Sequence, residues 1–266
     1  MKKILGITDR RPLPHYAKKS FDRWFEARPS SSSQNSVILW DDTFTRYYDP
    51  HVGKAATRLL EHLGYRVKRV KGHKCCGRPA FSVGRLDKAY KLGCHNIQLT
   101  RKMGGNEQIL FLEPSSFSMF KEDYLELKVP YAEEIAPRVT LLESFLLETF
   151  RQKRPTFKKP FSDVAVHVHC HAKKVTSLSS WKELLGYLGA RVHFLSTGCC
   201  GMAGSFGMME SKYELSIQVA KPLISQIREL PEGTAIVACG TSCRQQIEHL
   251  ANAHPLHIAE VFAQAF

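Results

Sequence analysis

The tripeptide Cys-Cys-Gly occurs twice, at Cys75–Gly77 and at Cys199–Gly201, in a chain of 266 residues that has eight cysteines. Adjacent cysteines are poor disulfide partners, because the peptide between them must distort, so a double thiol favours ligation of a metal or a cluster. The following glycine lets the backbone turn tightly, so that both sulfurs face one centre. We interpret the two tripeptides as a site that arose by duplication.

The halves around these tripeptides align over their whole length. The offset stays between 124 and 127 positions, and it pairs the following residues: Val37 with Val164, Cys75 with Cys199, and Ser116 with Cys243. This register predicts two related domains of ordinary size rather than one large core. The expected division is a basic arm or tether at 1–36, a first domain at 37–130, a bridging helix and linker at 131–160, and a second domain at 161–266.

Each half alternates apolar, β-branched runs with stretches of helical periodicity, in the order strand, helix, strand, Cys-Cys-Gly, helix, strand. This order predicts an α/β fold, with two pseudo-symmetric, small, doubly wound (Rossmann-like) domains that have parallel sheets. Ligands bind beyond the carboxyl ends of the strands in such sheets. The residues expected at those ends are Thr43, Cys75, Cys76 and Ser116 in the first half and Cys170, Cys199, Cys200 and Cys243 in the second.

The two halves differ in their supply of thiols. The second half has a cysteine after every predicted strand, and Cys239 lies close enough in sequence to be a fifth ligand. Soft thiolates bind the iron of iron–sulfur clusters, or zinc, strongly. In the first half Thr43 and Ser116 replace two cysteines, so that only Cys75 and Cys76 remain as weaker candidates. We expect this half to keep the turn without the metal; Asp41, Asp42 and His73 are possible additional ligands there, although capping or surface roles are more typical of them.

Lysine and arginine exceed acidic residues by 13. Such an excess is typical of a solvated surface, or of docking on an acidic protein or anionic lipid; nucleic-acid binding is not expected, because no recognised motif accompanies the charge. The start of the chain turns polar after five residues, and no apolar run is long enough to span a bilayer. We expect a cytoplasmic protein with reduced thiols, and peripheral contact with the inner face of the membrane is an alternative.

Several segments are distinctive rather than generic: RRPLPHYAKKSFDRWF, DDTFTRYYDPHVGKAATRLLEHLGY, KCCGRPAFSVGRLDKA, LEPSS, VHCHAKK, TGCCGMAGSFGMMESKYELS and GTSCRQQIEH. They resemble the cysteine-rich CCG domain pair of heterodisulfide reductase catalytic subunits and of iron–sulfur subunits that serve glycolate, glycerol-3-phosphate and lactate oxidation. They resemble still more the carboxyl-terminal region of FAD-linked D-2-hydroxyacid dehydrogenases that act on D-lactate or D-2-hydroxyglutarate. A ferredoxin run of the form CxxCxxCxxxCP does not occur in the chain.

The resemblance implies a [4Fe-4S]-type cluster in the second domain, held by this cysteine set: Cys170, Cys199, Cys200 and Cys243, with Cys239 as a further candidate. It also implies an oxidoreductase component that is not competent alone. As an electron-transfer subunit, it would relay electrons from an FAD-containing flavoprotein partner to a quinone or another acceptor. A ferredoxin-like subunit is a further possible partner, and Arg10, Arg11 and Trp24 are candidates for docking.

Two other functions stay open at this point. One is a structural scaffold of such a complex that binds zinc or no metal. The other is disulfide reduction as in heterodisulfide reductases, which the loss of ligands from the first half disfavours. Four neighbours of the cysteines are candidates for tuning the centre: His169 and His171 through hydrogen bonds to sulfur, and Lys173 and Arg244 through their charge.

Overall fold

The computed structural model describes residues 6–29, 31–158 and 160–266. They form two compact units, one of Tyr16–Thr149 and one that joins the described residues up to His15 to those of Phe150–Phe266. Among the described residues, no helix combines the length and the apolar character that crossing a bilayer requires.

The first unit contains the following elements in chain order: α1 (Phe21–Glu26), β1 (Ser36–Trp40), α2 (Thr43–Tyr47), α3 (Pro50–His62), β2 (Arg66–Lys68), α4 (Arg78–Ser82), α5 (Leu86–Lys102), β3 (Ile109–Phe111), α6 (Pro114–Ser118), α7 (Tyr124–Glu126), α8 (Ala132–Ile135), β4 (Val139–Leu141) and α9 (Leu142–Lys153), whose end lies in the second unit. A π-helical turn at Met119–Asp123 joins α6 to α7, and a 3-10 turn at Ala136–Arg138 joins α8 to β4.

In the described part of this unit the strands form one parallel sheet in the order β2-β1-β3-β4. β1 lies at its centre, and its residues from Val37 to Trp40 are buried, as expected of a strand that is covered on both faces. Strand β4 falls inside the stretch expected to form a bridging helix. The difference has a local cause: Pro137 disfavours a continuous helix, and the β-branched pair Val139–Thr140 favours an extended backbone.

The second unit contains β5 (Asp163–His167), α10 (Leu178–Gly186), β6 (Arg191–Phe194), α11 (Tyr213–Arg228), β7 (Ala235–Ala238), α12 (Thr241–Ala251) and α13 (Ile258–Ala263). Short 3-10 turns lie at Ala172–Lys174, Phe206–Met208 and Glu210–Lys212. The described strands form a parallel sheet in the order β6-β5-β7. This is the order of β2-β1-β3, so the predicted pair of Rossmann-like α/β domains is confirmed.

The start of the chain is part of the second unit. Ile7 forms an antiparallel bridge with Met209, and the N–H of Thr8 donates to the carbonyl of Met208 over 2.9 Å. Thr8 and Arg11 are both buried. This part of the segment predicted as an arm or tether is therefore packed against the residues that follow the second Cys-Cys-Gly tripeptide.

Candidate metal centre

The cysteines of the second unit all follow the carboxyl ends of its parallel strands. Cys170 lies three residues beyond the end of β5, Cys199 and Cys200 follow β6, and Cys243 lies in the first turn of α12, directly after β7. Because the strands are parallel, these ends meet at one edge of the sheet. The sheet topology thus assembles a site from residues that are 73 positions apart in sequence.

Gly201 shapes the turn that carries the two adjacent cysteines. It has φ = +85°, and its N–H donates to the sulfur of Cys199 over 3.3 Å. A Cβ at this position would lie 2.4 Å from the carbonyl oxygen of Ser216 in α11. Both the left-handed conformation and the close approach therefore require glycine here.

The side chains form an unbroken series of contacts. The thiols pair as Cys170 with Cys199, Cys199 with Cys200, and Cys200 with Cys243, and His167 contacts Cys243. The ligand atoms of His167, Cys200 and Cys243 all lie within 4.8 Å of one another. Cys170 is exposed, whereas Cys200 and Cys243 are buried. The series thus runs from the surface to the interior.

These contacts favour thiolate formation at two of the sulfurs. Hydrogen bonds from Cys170 and Cys200 lower the pKa of the Cys199 thiol to about 2, and the Gly201 N–H acts in the same direction. A hydrogen bond from Cys200, together with His169 and His167, lowers the pKa of Cys243 well below its usual range. The hydrogen bonds to these thiolates, together with burial, raise the pKa values of Cys170 and Cys200. Shared protons of this kind occupy the positions that a soft cation takes when it binds thiolates.

Cys239 is placed differently from the other four cysteines. It is 4% exposed and lies directly after β7, outside the compact group of His167, Cys200 and Cys243. Its carbonyl oxygen accepts a hydrogen bond from Arg244 over 2.8 Å. The buried Arg244 side chain also bonds to the carbonyl of Ala238 and the hydroxyl of Thr241, so it holds the turn between β7 and α12.

The predicted tuning residues also lie around this edge. The Nδ1 atom of His169 is 3.9 Å from the sulfur of Cys170, and the rings of His169 and His171 stack with their centroids 5.5 Å apart. A Cβ on Gly240 would lie 2.2 Å from the His169 ring, so this glycine is also required by a close approach. The ammonium group of Lys173 donates to the carbonyls of Thr197 and Gly198, which ties the first residues after Cys170 to the loop before Cys199.

His167 is the site residue that sequence reasoning missed. It is the last residue of β5, it is 2% exposed, and its Nδ1 atom lies 3.2 Å from the hydroxyl of Thr197. The repeat comparison pointed away from it, because the same register places Trp40 at this position in the first half. A usable signal was its place at the strand end, three residues before Cys170.

The first unit repeats the construction with fewer sulfurs. Gly77 has φ = +87°, and its N–H lies 3.5 Å from the sulfur of Cys75. The hydroxyl of Ser116 lies 3.2 Å from the sulfur of Cys76, and Thr43 hydrogen-bonds to Cys75. Hydrogen bonding to Cys76, supported by Gly77 and Thr43, lowers the pKa of Cys75 to about 6. Two hydroxyls and two thiols therefore occupy the four positions that are cysteines in the second unit.

The remaining polar residues near this first turn have structural partners. Asp41 accepts hydrogen bonds from Arg46, Arg69 and His73 at 2.8–3.0 Å, and Asp42 caps α2 through the N–H groups of Phe44 and Thr45. The indole of Trp40 stacks on His73 with a centroid separation of 4.0 Å. Arg78, a candidate for balancing charge, pairs with Asp123.

Comparison with known proteins places these features in a family. The family described as "Cysteine-rich domain" (CCG) matches residues 42–120 and 164–248, which include both tripeptides. In the anaerobic glycerol-3-phosphate dehydrogenase of Escherichia coli (strain K12), the subunit designated C is 28% identical over 98% of this chain, which spans 67% of that protein.

Two further relatives show how the region occurs in proteins of different size. D-2-hydroxyglutarate dehydrogenase of Pseudomonas putida is 27% identical over 87% of this chain, which corresponds to 23% of that protein. Lactate utilization protein A of an Exiguobacterium species is 28% identical over 80% of this chain and 90% of its own length. The resemblance inferred from the motifs is confirmed, and the chain belongs to the cysteine-rich CCG domain family.

Proposed function

We propose that this chain is the iron–sulfur electron-transfer subunit, or module, of a flavin-linked dehydrogenase that oxidises a hydroxyacid such as lactate or glycolate, or glycerol 3-phosphate. The observation that carries the proposal is the contact series of Cys170, Cys199, Cys200 and Cys243 at one sheet edge. The names of the relatives support the class of enzyme, since they include a glycerol-3-phosphate dehydrogenase subunit, a D-2-hydroxyglutarate dehydrogenase and a lactate utilization protein.

The donor set fits an iron–sulfur centre. Four sulfurs from three strand ends contact one another, and two of them favour the thiolate form, which is the form that binds iron. The close packing of Gly201 and Gly240 against neighbouring residues fixes the two turns that carry Cys199, Cys200 and Cys243. We propose these three residues and Cys170 as ligands of a [4Fe-4S]-type cluster, with His167 or Cys239 available as a further donor.

An iron–sulfur centre accepts one electron and passes it on, so it needs another centre as a source. The proposed source is the FAD of a flavoprotein partner, and the proposed acceptor is a quinone or a ferredoxin-like subunit. We place the protein in the cytoplasm or at the inner face of the membrane as a peripheral protein, since its excess of 13 positive charges would favour both an acidic partner and anionic lipid.

A zinc site is the second candidate, and a specific observation favours it. The ligand atoms of His167, Cys200 and Cys243 lie within 4.8 Å of one another, and one more cysteine would complete a Cys₃His set of the kind that holds structural zinc. In that case the chain would be a scaffold of the same complex. Iron, zinc and acid-labile sulfide should be measured on protein purified without oxygen; iron with sulfide supports the relay, and zinc without sulfide supports the scaffold.

The partnership has its own test. Electron flow from the hydroxyacid or glycerol 3-phosphate to a dye should require both this chain and its flavoprotein partner, and it should weaken as salt rises, because exposed charges are screened. Oxidation of any of these substrates by the isolated chain would overturn the relay function.

A further inference from the structure

The first described residues of the chain are joined to the loop that follows the second Cys-Cys-Gly turn. The N–H of Thr8 donates to the carbonyl of Met208 over 2.9 Å, and the N–H of Glu210 donates to the carbonyl of Gly6 over 2.9 Å. These bonds flank the antiparallel bridge between Ile7 and Met209. The backbone pairing fixes where the next side chains of the segment are directed.

Arg11 is directed inward from this segment, while its neighbour Arg10 stays at the surface. Arg11 is 2% exposed, and its Nη2 atom donates to the hydroxyl of Ser216 over 3.2 Å. Arg10 forms ion pairs with Glu210 and Glu214 on the surface. The expectation that Arg11 contacts a partner's surface is therefore wrong, because its burial withdraws it from any external contact.

The residue that Arg11 contacts also supports the cysteine turn. The carbonyl oxygen of Ser216 is the atom that a Cβ on Gly201 would approach to 2.4 Å. Gln246 binds the same carbonyl and the Ser216 hydroxyl, both at 3.2 Å. A guanidinium group from the start of the chain thus lies behind the turn that presents Cys199 and Cys200, linked to it through one serine.

The charge of Arg11 acts on the cysteines. The Cys200 thiol interacts electrostatically with the guanidinium group, which stays protonated in proteins. Burying a cation is costly unless a negative charge compensates it, and the sulfurs of this site are the groups that become negative when they bind a metal. Charge interactions at this depth are stronger than at the surface, because water screens them less.

We propose that Arg11 is a positioning residue of the cysteine centre, whose fixed positive charge stabilises the anionic thiolate set when it holds a soft metal or cluster. The proposal rests on the proposed function only in that the cysteines bind a metal. The reduced form of a bound cluster carries one more negative charge than the oxidised form. Arg11 therefore raises the reduction potential of that cluster.

The first test uses Cd²⁺ alone as the probe, with metal-free protein and a competing chelator. We expect Arg11→Gln to weaken Cd²⁺ binding about 10-fold or more, in the range found when a group that supports metal ligands is removed. Arg11→Lys keeps the charge and should restore most of the affinity. Arg10→Gln, the matched control from the adjacent exposed position, should bind as the wild type does.

Several outcomes would overturn the proposal. One is equal Cd²⁺ affinity in Arg11→Gln and the wild type; another is an equal loss in Arg11→Gln and Arg11→Lys, which would show that the charge is not the cause. If Arg11→Gln does not fold, Arg11→Lys decides alone: binding within a few-fold of the wild type supports the proposal, and a loss of about 10-fold or more overturns it.

The second test measures the midpoint potential of the native centre in protein purified without oxygen. We expect a lower potential in Arg11→Gln than in the wild type and in Arg10→Gln, with Arg11→Lys between them. A native centre made of zinc would remove this measurement and overturn the relay function, whereas the Cd²⁺ affinities would still decide the role of Arg11. The two failures are thus distinguishable.

Discussion

The hydroxyl of Ser116 donates a hydrogen bond to the sulfur of Cys76 over 3.2 Å. In the second domain the equivalent contact is between two sulfurs, those of Cys243 and Cys200. The backbone of both turns is the same, with a glycine near φ = +85° after each pair of cysteines. The difference between the two domains therefore lies in donor atoms rather than in the fold, which makes it open to a direct experiment.

Restoring the missing thiols should restore a site in the first domain. Thr43→Cys combined with Ser116→Cys gives this domain four sulfurs around Cys75 and Cys76, the number found in the second. We expect the double variant to bind additional Cd²⁺, because thiolates bind this soft ion far better than hydroxyls do. Equilibrium dialysis measures the stoichiometry.

The control for this gain is Cys76→Ser in the background of the double variant, which should abolish the extra binding. A double variant that folds and binds no more Cd²⁺ than the wild type would show that more than the donor atoms distinguishes the two domains.

His167 should contribute to metal binding, because its ring contacts Cys243 and lies within 4.8 Å of the Cys200 sulfur. We expect His167→Gln to weaken Cd²⁺ binding about 10- to 100-fold, whether the ring is a ligand or supports one. His171→Gln is the comparison, since His171 stacks on His169 without belonging to the compact group. Similar affinities for both variants would assign His167 to packing alone.

Gly201 should be among the least replaceable residues of the second domain. Gly201→Ala puts a Cβ 2.4 Å from the Ser216 carbonyl at a residue with φ = +85°. Gly204 has a similar φ of +65°, but a Cβ there would have no other atom of the described residues within 4 Å. Both substitutions incur backbone strain of roughly 1–2 kcal/mol, and the crowding at Gly201 should add about 1–3 kcal/mol. Chemical denaturation gives both values, and equal losses would contradict the close approach.

Glu143 should make the stability of the first domain depend on pH. It is 3% exposed, and its carboxylate oxygens have no hydrogen-bond partner among the other described residues. Burial, and the charge of Glu113, raise the pKa of Glu143 to about 7 from the usual 4.5. Since the folded-state pKa is the higher one, the contribution of this group is fully present below pH 4.5 and is lost as the pH rises toward 7.

Glu143→Gln cannot ionise, so its free energy of unfolding should gain on the wild type between pH 4.5 and 7, by up to about 3 kcal/mol. Urea denaturation at several pH values measures the difference. Glu148→Gln, an exposed substitution on the same helix, is the control and should show no such trend. A pH-independent difference for Glu143→Gln would mean that this carboxyl does not titrate in that range.

The sequence predicted the architecture because the two halves could be compared with each other. Each predicted strand recurs at a near-constant offset, and a cysteine, serine or threonine follows each one, so the sheet edge and its ligand candidates could be read from the register. Strand β4 escaped this reasoning because it is three residues long and lies between two helical stretches, where periodicity carries little information.

The parts that sequence reasoning missed depend on contacts that no local pattern encodes. Arg11 meets Ser216 across 205 positions of sequence, and nothing in the basic run around Arg11 distinguishes it from the exposed Arg10. His167 was overlooked because the first half has Trp40 at that position. Both residues became visible only when burial and side-chain direction were known.

The measurement that tests the central claim most directly is the iron and acid-labile sulfide content of three proteins purified without oxygen: the wild type, the double variant Cys199→Ser with Cys200→Ser, and Cys75→Ser. We predict that the wild type contains iron and sulfide, that the double variant loses both, and that Cys75→Ser keeps nearly all of them. Zinc or no metal in the wild type, or an equal loss in the two variants, would contradict an iron–sulfur centre in the second domain.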